Sequence, residues 1–339
     1  MQQPLRVALI GAGPSCTPHL QSLIELAPAV QLAWVAARTP QRLAALQLPA
    51  HTRTTTQLDD VLNDASVRAA LVVTPPHTHL DIATRLAAAG KHVLVEKPLD
   101  VSLARAQQLV DVCEQRGVKL AVMLQHRLRD ASLAAARLMA GGTLGTLTST
   151  TTSVRWWRPQ SYYDQPGRGT LARDGGGVLM TQAIHTLDLL LHLTGLPAEV
   201  TALATTSPVH RMECEDTVTA LLRYANGAIG TIDATTAAWP GYPERIALNF
   251  TGGTATLEAG ALTVMPMDGP VHRVGEPQAT GSGANVMAFD HGPHKAVIED
   301  VVSAIRTGAQ PAVSGRSALA VQRLIEAMVA SRGGPVTLA

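Results

Sequence analysis

Cysteine is nearly missing: Cys16, Cys113 and Cys214 are the only three in a chain of 339 residues. They are far apart, odd in number and lack metal-type spacing, which argues against a disulfide framework and predicts a reduced, cytoplasmic setting. Excess charge is missing too. Lys and Arg number 27 against 26 Asp and Glu, a formal net charge of +1, so no broad field favours nucleic acid or an anionic membrane. Any anionic ligand must be caught by individually placed arginines. No uncharged apolar run approaches a membrane span, and Met1-Gln2-Gln3-Pro4 leads straight into a strand without the charged and apolar regions of a signal peptide. Neither membrane insertion nor export is expected.

Apolar residues make up 46% of the chain, enough for a large core and two domains. From Leu5 to Met123, β-rich runs alternate with Ala- and Leu-rich stretches of helical period. The strands read as Leu5–Ile10, Gln31–Ala36, Ala69–Val73, His92–Val95 and Val118–Met123, continuously apolar as in a sheet covered on both faces. This predicts an α/β fold, a doubly wound parallel-sheet domain over residues 1–125. Residues 126–339 read as an α+β domain: a helix Ala131–Ala140, a run Leu147–Trp157, a long helix Val178–Thr194, then strand-like runs from Glu199 to Met265. Turn signals at Asn226-Gly227, Gly252-Gly253 and Ala259-Gly260 predict a mostly antiparallel sheet. Gly269–Gly292 reads as a loop over the domain junction, and helices near Lys295–Thr307 and Ser317–Arg332 close the chain, with packing back on the first domain as an alternative placement for them.

The first strand runs into Gly11-Ala12-Gly13-Pro14-Ser15-Cys16, with cysteine where the usual dinucleotide fingerprint has its third glycine. Strand, glycine turn and helix are the setting in which backbone N–H groups hold a pyrophosphate, making Gly11, Gly13 and Ser15 candidate cofactor residues. An ordinary tight βα turn is the alternative. About 24 residues beyond Gly13, where an NAD enzyme often presents a carboxylate to the adenosine ribose, stand Ala37-Arg38-Thr39. Arg38 suits a 2′-phosphate, so NADP is preferred over NAD; if Arg38 only stacks on adenine, either cofactor is served.

Glu96-Lys97-Pro98 follows a parallel strand at the end where open α/β sheets place ligands. On the predicted helix Val178–Thr194, after Gly175-Gly176-Gly177, the residues Thr181, His185, Asp188 and His192 form one narrow polar stripe among apolar residues. Without a long charged side chain, that stripe suits a cleft or seam better than a solvated face. Oxidising an alcohol by hydride transfer requires removal of the hydroxyl proton, for which an imidazole needs little perturbation. His185 is the candidate acid/base and Lys97 the candidate group to polarise the oxygen and relay the proton. Asp188 and His192 read as hydrogen-bonded structural residues. Asp290, His291 and His294 lack a matching partner and read as a loop near the active-site mouth, with no metal expected.

Thr74-Pro75-Pro76-His77-Thr78-His79, Gly90-Lys91-His92-Val93, Glu96-Lys97-Pro98, Gly175-Gly176-Gly177, His185-Thr186-Leu187-Asp188, Glu215-Asp216-Thr217 and Asn226-Gly227-Ala228-Ile229-Gly230 together resemble the Gfo/Idh/MocA oxidoreductases over nearly the whole chain. The resemblance implies a Rossmann domain, an open-faced sheet domain through which homodimers or homotetramers form, and NAD(P)-linked redox chemistry on sugars, cyclitols and related polyols. It further implies cofactor contacts at Thr74, Pro75, Pro76, His79, Glu96 and Lys97, with catalysis from Lys97 and His185. At Thr181 many members carry Asp. That departure argues against a Lys-Asp-His relay, while Thr181 or Gln182 remain able to hydrogen-bond substrate.

Only ten residues are Phe, Trp or Tyr, yet Trp156, Trp157, Tyr162 and Tyr163 fall within eight positions, interleaved with Arg155, Arg158 and Arg168. Aromatic faces suit sugar C–H surfaces and arginine forks suit carboxylate or phosphate, so Trp157, Arg158, Tyr163 and Arg168 are candidate contacts to an anionic polyol. Tyr162 through His185 resembles the branch containing UDP-N-acetylglucosaminuronate dehydrogenases. Packing of a domain junction is the alternative; nucleic acid is poorly supported by one short cluster. Two other functions fit the fold: a non-catalytic NADP-binding sensor or co-repressor, and an NAD-dependent glycosidase.

Overall fold

The computed structural model describes residues 3–278, 281–283 and 290–338. They divide into two compact units, one of residues 1–125 with 290–319 and one of 126–289 with 320–339. The first is built on six parallel strands, β1 (Leu5–Ile10), β2 (Val30–Ala36), β3 (Arg53–Thr55), β4 (Ala69–Val72), β5 (His92–Val95) and β6 (Leu120–Val122). Their order is β3-β2-β1-β4-β5-β6, so the chain reverses direction across the sheet at β1 and β4. Ligands of doubly wound sheets sit beyond the strand ends at such a switch. Apart from the edge strand β3, the strands are buried almost throughout, Val35, Val72 and Val95 completely, because helices cover both faces.

The second unit carries nine strands: β7 (Leu147–Arg155), β8 (Glu199–Thr205), β9 (Thr217–Arg223), β10 (Ile229–Thr235), β11 (Arg245–Phe250), β12 (Gly253–Glu258), β13 (Ala261–Pro266), β14 (His272–Val274) and β15 (Pro335–Thr337). All neighbours are antiparallel except β7 and β10. Residues alternate between a covered and an open face, as β9 shows: Val218, Ala220 and Leu222 are buried while Thr219, Leu221 and Arg223 are exposed. Ala259 and Gly260 both take positive φ between β12 and β13, the conformation a two-residue hairpin turn requires.

Two sequence expectations need correction. Part of the predicted loop Gly269–Gly292 is β14, which pairs with β13 from Leu262↔Val274 to Val264↔His272; residues 279–280 and 284–289 of that stretch lie outside the described ones. The predicted single helix Val178–Thr194 is a π-helical turn, Leu179–Ala183, followed by an α-helix, Ile184–Thr194. A π turn inserts a residue into the helical period, and the polar stripe breaks: His185 and Asp188 are buried but His192 is exposed.

Candidate functional site

Two glycines open the first helix, and they differ. Gly11 donates to the Ala36 carbonyl, has φ +114, and a Cβ there would lie 2.8 Å from the Val73 carbonyl oxygen. Close approach of two strand ends therefore fixes Gly11. At Gly13 nothing stands closer to an added Cβ than one guanidinium nitrogen of Arg42, at 4.0 Å. That open space above the helix entry is the cradle a side chain would fill, and it fits a pyrophosphate. Ser15 is the exposed N-cap residue of the helix Cys16–Glu25 and makes no side-chain capping bond. Cys16 faces the interior, where burial raises its thiol pKa. Arg38 is exposed just beyond β2, with no ion-pair partner among the described residues. Arg42 escaped the sequence reading; its spacing of four from Arg38 was the available signal.

Beyond β4, the Thr74 and Thr78 hydroxyls share a 2.7 Å hydrogen bond, and Thr78 also donates to the Pro75 carbonyl. Pro75 and Pro76 are half-buried here. His79 does not reach outward as expected of a cofactor contact. It is fully buried, with Nε2 2.8 Å from the Thr74 carbonyl and Nδ1 3.1 Å from those of Pro98 and Leu99. Its work is to tie the loop after β4 to the loop after β5, and burial pushes its pKa down against those contacts. Buried Asp100 adds to the knot by accepting from the Leu80 N–H and Arg105.

Glu96 and Lys97 follow β5, both half-buried. One Glu96 oxygen accepts the Lys97 N–H at 3.0 Å and the other lies 2.7 Å from His19 Nε2. Burial resists ionisation of Glu96, but the bond to His19 and the nearby positive charges hold its pKa at about 2. A carboxylate thus fixes the backbone from which Lys97 projects. Lys91 of the same stretch is buried and spends its ammonium on the carbonyls of Asp64 and Val67.

In the second unit, Gly175 ends a short helix with φ +76. Gly177 has no room at all: a Cβ would lie 1.7 Å from the Glu215 carbonyl oxygen. The Glu215 carboxylate accepts from the Gly177 and Leu179 N–H groups, and burial raises its pKa. This clamp starts the π turn. Thr181 turns back to the Gly177 carbonyl at 2.7 Å and bonds Gln182, whose amide nitrogen reaches the Tyr162 hydroxyl at 3.3 Å. His185, 8% exposed, stacks on His126 with ring centroids 4.9 Å apart. Asp188 is structural, receiving Nε of Arg127 at 2.7 Å and a second guanidinium nitrogen inside the core.

The aromatic and arginine cluster divides. Tyr163 belongs to the core, its hydroxyl 2.7 Å from Thr236 Oγ1 and its pKa raised by burial. Trp157 packs edge-on against Trp239. Arg158 is 3% exposed and gives one guanidinium nitrogen to the carbonyls of Trp157, Ser282 and Gly283. Burial pushes its pKa down, opposed by the two neighbouring tyrosines. Tyr163, Trp157 and Arg158 thus carry packing roles beside any contact with ligand. Arg168 remains half-buried over the Tyr162 ring at 5.0 Å, with no ion pair among the described residues. The sequence reading also missed His210, which bridges Asp216 at 2.7 Å and the Arg158 carbonyl at 2.8 Å; a histidine six residues before an acid carries no pattern.

Asp290, His291 and His294, read from the sequence as a loop, instead lead into the helix Gly292–Thr307, with His291 as its N-cap residue and His294 in its first turn. His291 pairs with Glu25 at 2.7 Å near the surface, whereas His294 turns inward against His19.

The sequence profile of the NAD-binding Rossmann fold of the Gfo/Idh/MocA oxidoreductase family matches residues 5–124, and that of the family's C-terminal domain matches 132–256. The chain belongs to the Gfo/Idh/MocA family. It is 27% identical over 338 residues to inositol 2-dehydrogenase of Rhizobium meliloti, covering 96% of each chain. It is 29% identical over 197 residues to the uncharacterized oxidoreductase YhhX of Escherichia coli, a match over 58% of this chain and 55% of that protein. The crystal structure of the WlbA dehydrogenase from Bordetella pertussis, in complex with NADH and UDP-GlcNAcA, superposes with a TM-score of 0.86 at 27% identity over 99% of both chains. No helix among the described residues is long and apolar enough to cross a membrane.

Proposed function

We propose that this chain is an NAD(P)-dependent oxidoreductase that transfers a hydride between the nicotinamide and a secondary alcohol or ketone of a sugar, sugar acid or related polyol. The observation that carries this reading is the open space over Gly13 at the topological switch, in a chain of this family. Gly13, Ser15, Arg38, Arg42 and Thr74 would hold the dinucleotide, which supplies the hydride acceptor or donor when bound. His185 takes the hydroxyl proton in the oxidative direction and returns it in the other. Lys97 holds the same oxygen and stabilises its developing negative charge. Packing within the core and against His126 limits water around His185.

NADP is the preferred cofactor. Arg38 and Arg42 at the end of β2 offer two cations and no carboxylate to oppose a 2′-phosphate. An anionic sugar is the substrate class we favour, because Arg168 is uncommitted to any carboxylate and lies over an aromatic face. The UDP-GlcNAcA in the WlbA structure supports this direction. The open face of β8, β9 and β10, where Leu203, Leu221 and Ile229 are 67%, 60% and 63% exposed, is the surface for a homodimer or homotetramer. Three buried, unpaired cysteines support a reducing, cytoplasmic setting.

The test is turnover of NADP⁺ with a panel of nucleotide-linked uronates, free sugar acids and inositols. Reduction of the cofactor with at least one of them is the expected result. Tight cofactor binding with no redox chemistry on any would contradict the reading.

A further inference from the structure

The first unit contains a cluster that the proposed redox chemistry does not use in full. His19 lies on the helix Cys16–Glu25, Glu96 follows β5, and His294 sits in the first turn of the helix Gly292–Thr307. One ligand atom from each falls within 4.8 Å of the others. His19 and His294 are 1% and 4% exposed, and their rings meet edge-to-face with centroids 5.3 Å apart. His19 Nε2 stands 2.7 Å from a Glu96 oxygen, while its buried Nδ1 has no hydrogen-bond partner among the described residues.

From this geometry we propose that His19, Glu96 and His294 form a binding site for a borderline divalent transition-metal ion of the Zn²⁺ type. Two imidazoles and one carboxylate are a donor set that such ions take, with water completing the coordination. Hard cations such as Mg²⁺ and Ca²⁺ prefer oxygen-rich sets and are poorly served by two histidines. The ion takes the place of the proton between His19 Nε2 and the Glu96 oxygen, and a neutral His19 carries that proton on Nδ1 instead, so the ring stays a neutral ligand. The other Glu96 oxygen keeps its bond to the Lys97 N–H. Three segments remote in sequence are then joined by one ion, which locks the helix after the glycine turn to the loop that carries Lys97.

The nearby Asp290–His291 pair is a different feature. His291 belongs to an exposed network with Glu25 and Lys295, and those contacts suit a solvated ion-pair cluster.

The test is calorimetric titration of the chelator-treated full chain with Zn²⁺ in the absence of dinucleotide, which separates this site from the redox reading. One Zn²⁺ per chain is expected, with affinity falling by about 100-fold or more in His19→Ala and in His294→Ala and unchanged in His291→Ala. If either alanine variant fails to fold by circular dichroism, His19→Gln or His294→Gln takes its place. Co²⁺ should give the strong visible absorption of a four-coordinate N/O site in the parent chain and lose it in these variants. Absence of saturable binding, several weak sites, or 1:1 binding that survives loss of both His19 and His294 overturns the proposal.

Discussion

The turns Gly11-Ala12-Gly13 and Gly175-Gly176-Gly177 look alike in sequence, each a glycine-rich entry into a helix, yet their closing glycines answer opposite demands. A Cβ at Gly13 would meet open space, with only the tip of Arg42 at 4.0 Å. A Cβ at Gly177 would strike the Glu215 carbonyl oxygen at 1.7 Å. The first glycine leaves room for something outside the chain; the second leaves room for the chain itself. What a glycine means is set by what its missing side chain would touch.

The sharpest way to break this comparison is a pair of alanines. Gly177→Ala should cost more than about 4 kcal/mol or abolish folding, since backbone must move. Gly13→Ala should change stability by no more than about 1 kcal/mol while weakening NADP⁺ binding tenfold or more, by about 1.4 kcal/mol. Denaturant unfolding and cofactor titration of both variants check this, and a folded, stable Gly177→Ala would reverse the assignment.

A second contrast lies along the helix that Gly177 introduces. Asp188→Ala removes the buried carboxylate that meets the Arg127 guanidinium and should cost about 3–5 kcal/mol, whereas His192→Ala on the exposed end should stay within about 0.5 kcal/mol. Equal effects of the two would restore the unbroken stripe that the sequence pattern suggests.

The His210–Asp216 pair makes the stability of the second unit depend on pH. Burial opposes the His210 charge, but the bonds to Asp216 and the Arg158 carbonyl raise its pKa. A raised histidine stabilises the fold fully below its unfolded pKa and loses that contribution as pH climbs through the folded one. For Asp216, burial is outweighed by the bonds from His210 and Ser207, so its pKa is lowered; its contribution is present above the unfolded pKa and lost as pH falls through the folded one. Asp216→Asn should therefore destabilise near neutral pH, by about 1.5–3 kcal/mol, and converge with the parent in acid. A difference independent of pH would contradict this account.

Cofactor choice carries a more modest effect. NADP⁺ should raise the melting temperature more than NAD⁺, and Arg38→Ala should shrink that gap by about tenfold in relative affinity, about 1.4 kcal/mol. Equal shifts in the parent chain would remove the preference for NADP⁺.

Much of the first unit was legible because its signals are local. Continuous apolar runs gave β1, β2, β4 and β5 to within a residue or two, since a parallel strand buried on both faces leaves no other pattern. The residues around Lys97 were legible as a strand end, but not the support beneath them. His79 and His19 act through partners distant in sequence, and no spacing rule predicts which carbonyl or carboxylate an imidazole will meet. In the second unit, β9 and β10 were readable by alternation and by Asn226-Gly227. The π turn was not, because it depends on the Glu215 carboxylate, 38 positions past Gly177, seizing the N–H groups at the helix entry. The same blindness hid Arg42, whose neighbourhood with Gly13 exists only once the helix after β2 is folded.

The central claim is that Lys97 and His185 carry out alcohol–ketone redox chemistry on a bound polyol. The most direct test measures turnover and NADP⁺ affinity together in Lys97→Ala and His185→Ala, with the best substrate of the parent chain. Turnover should fall by about 10²–10⁴ or more in each while the cofactor Kd stays near that of the parent; undiminished turnover in either variant would contradict the account.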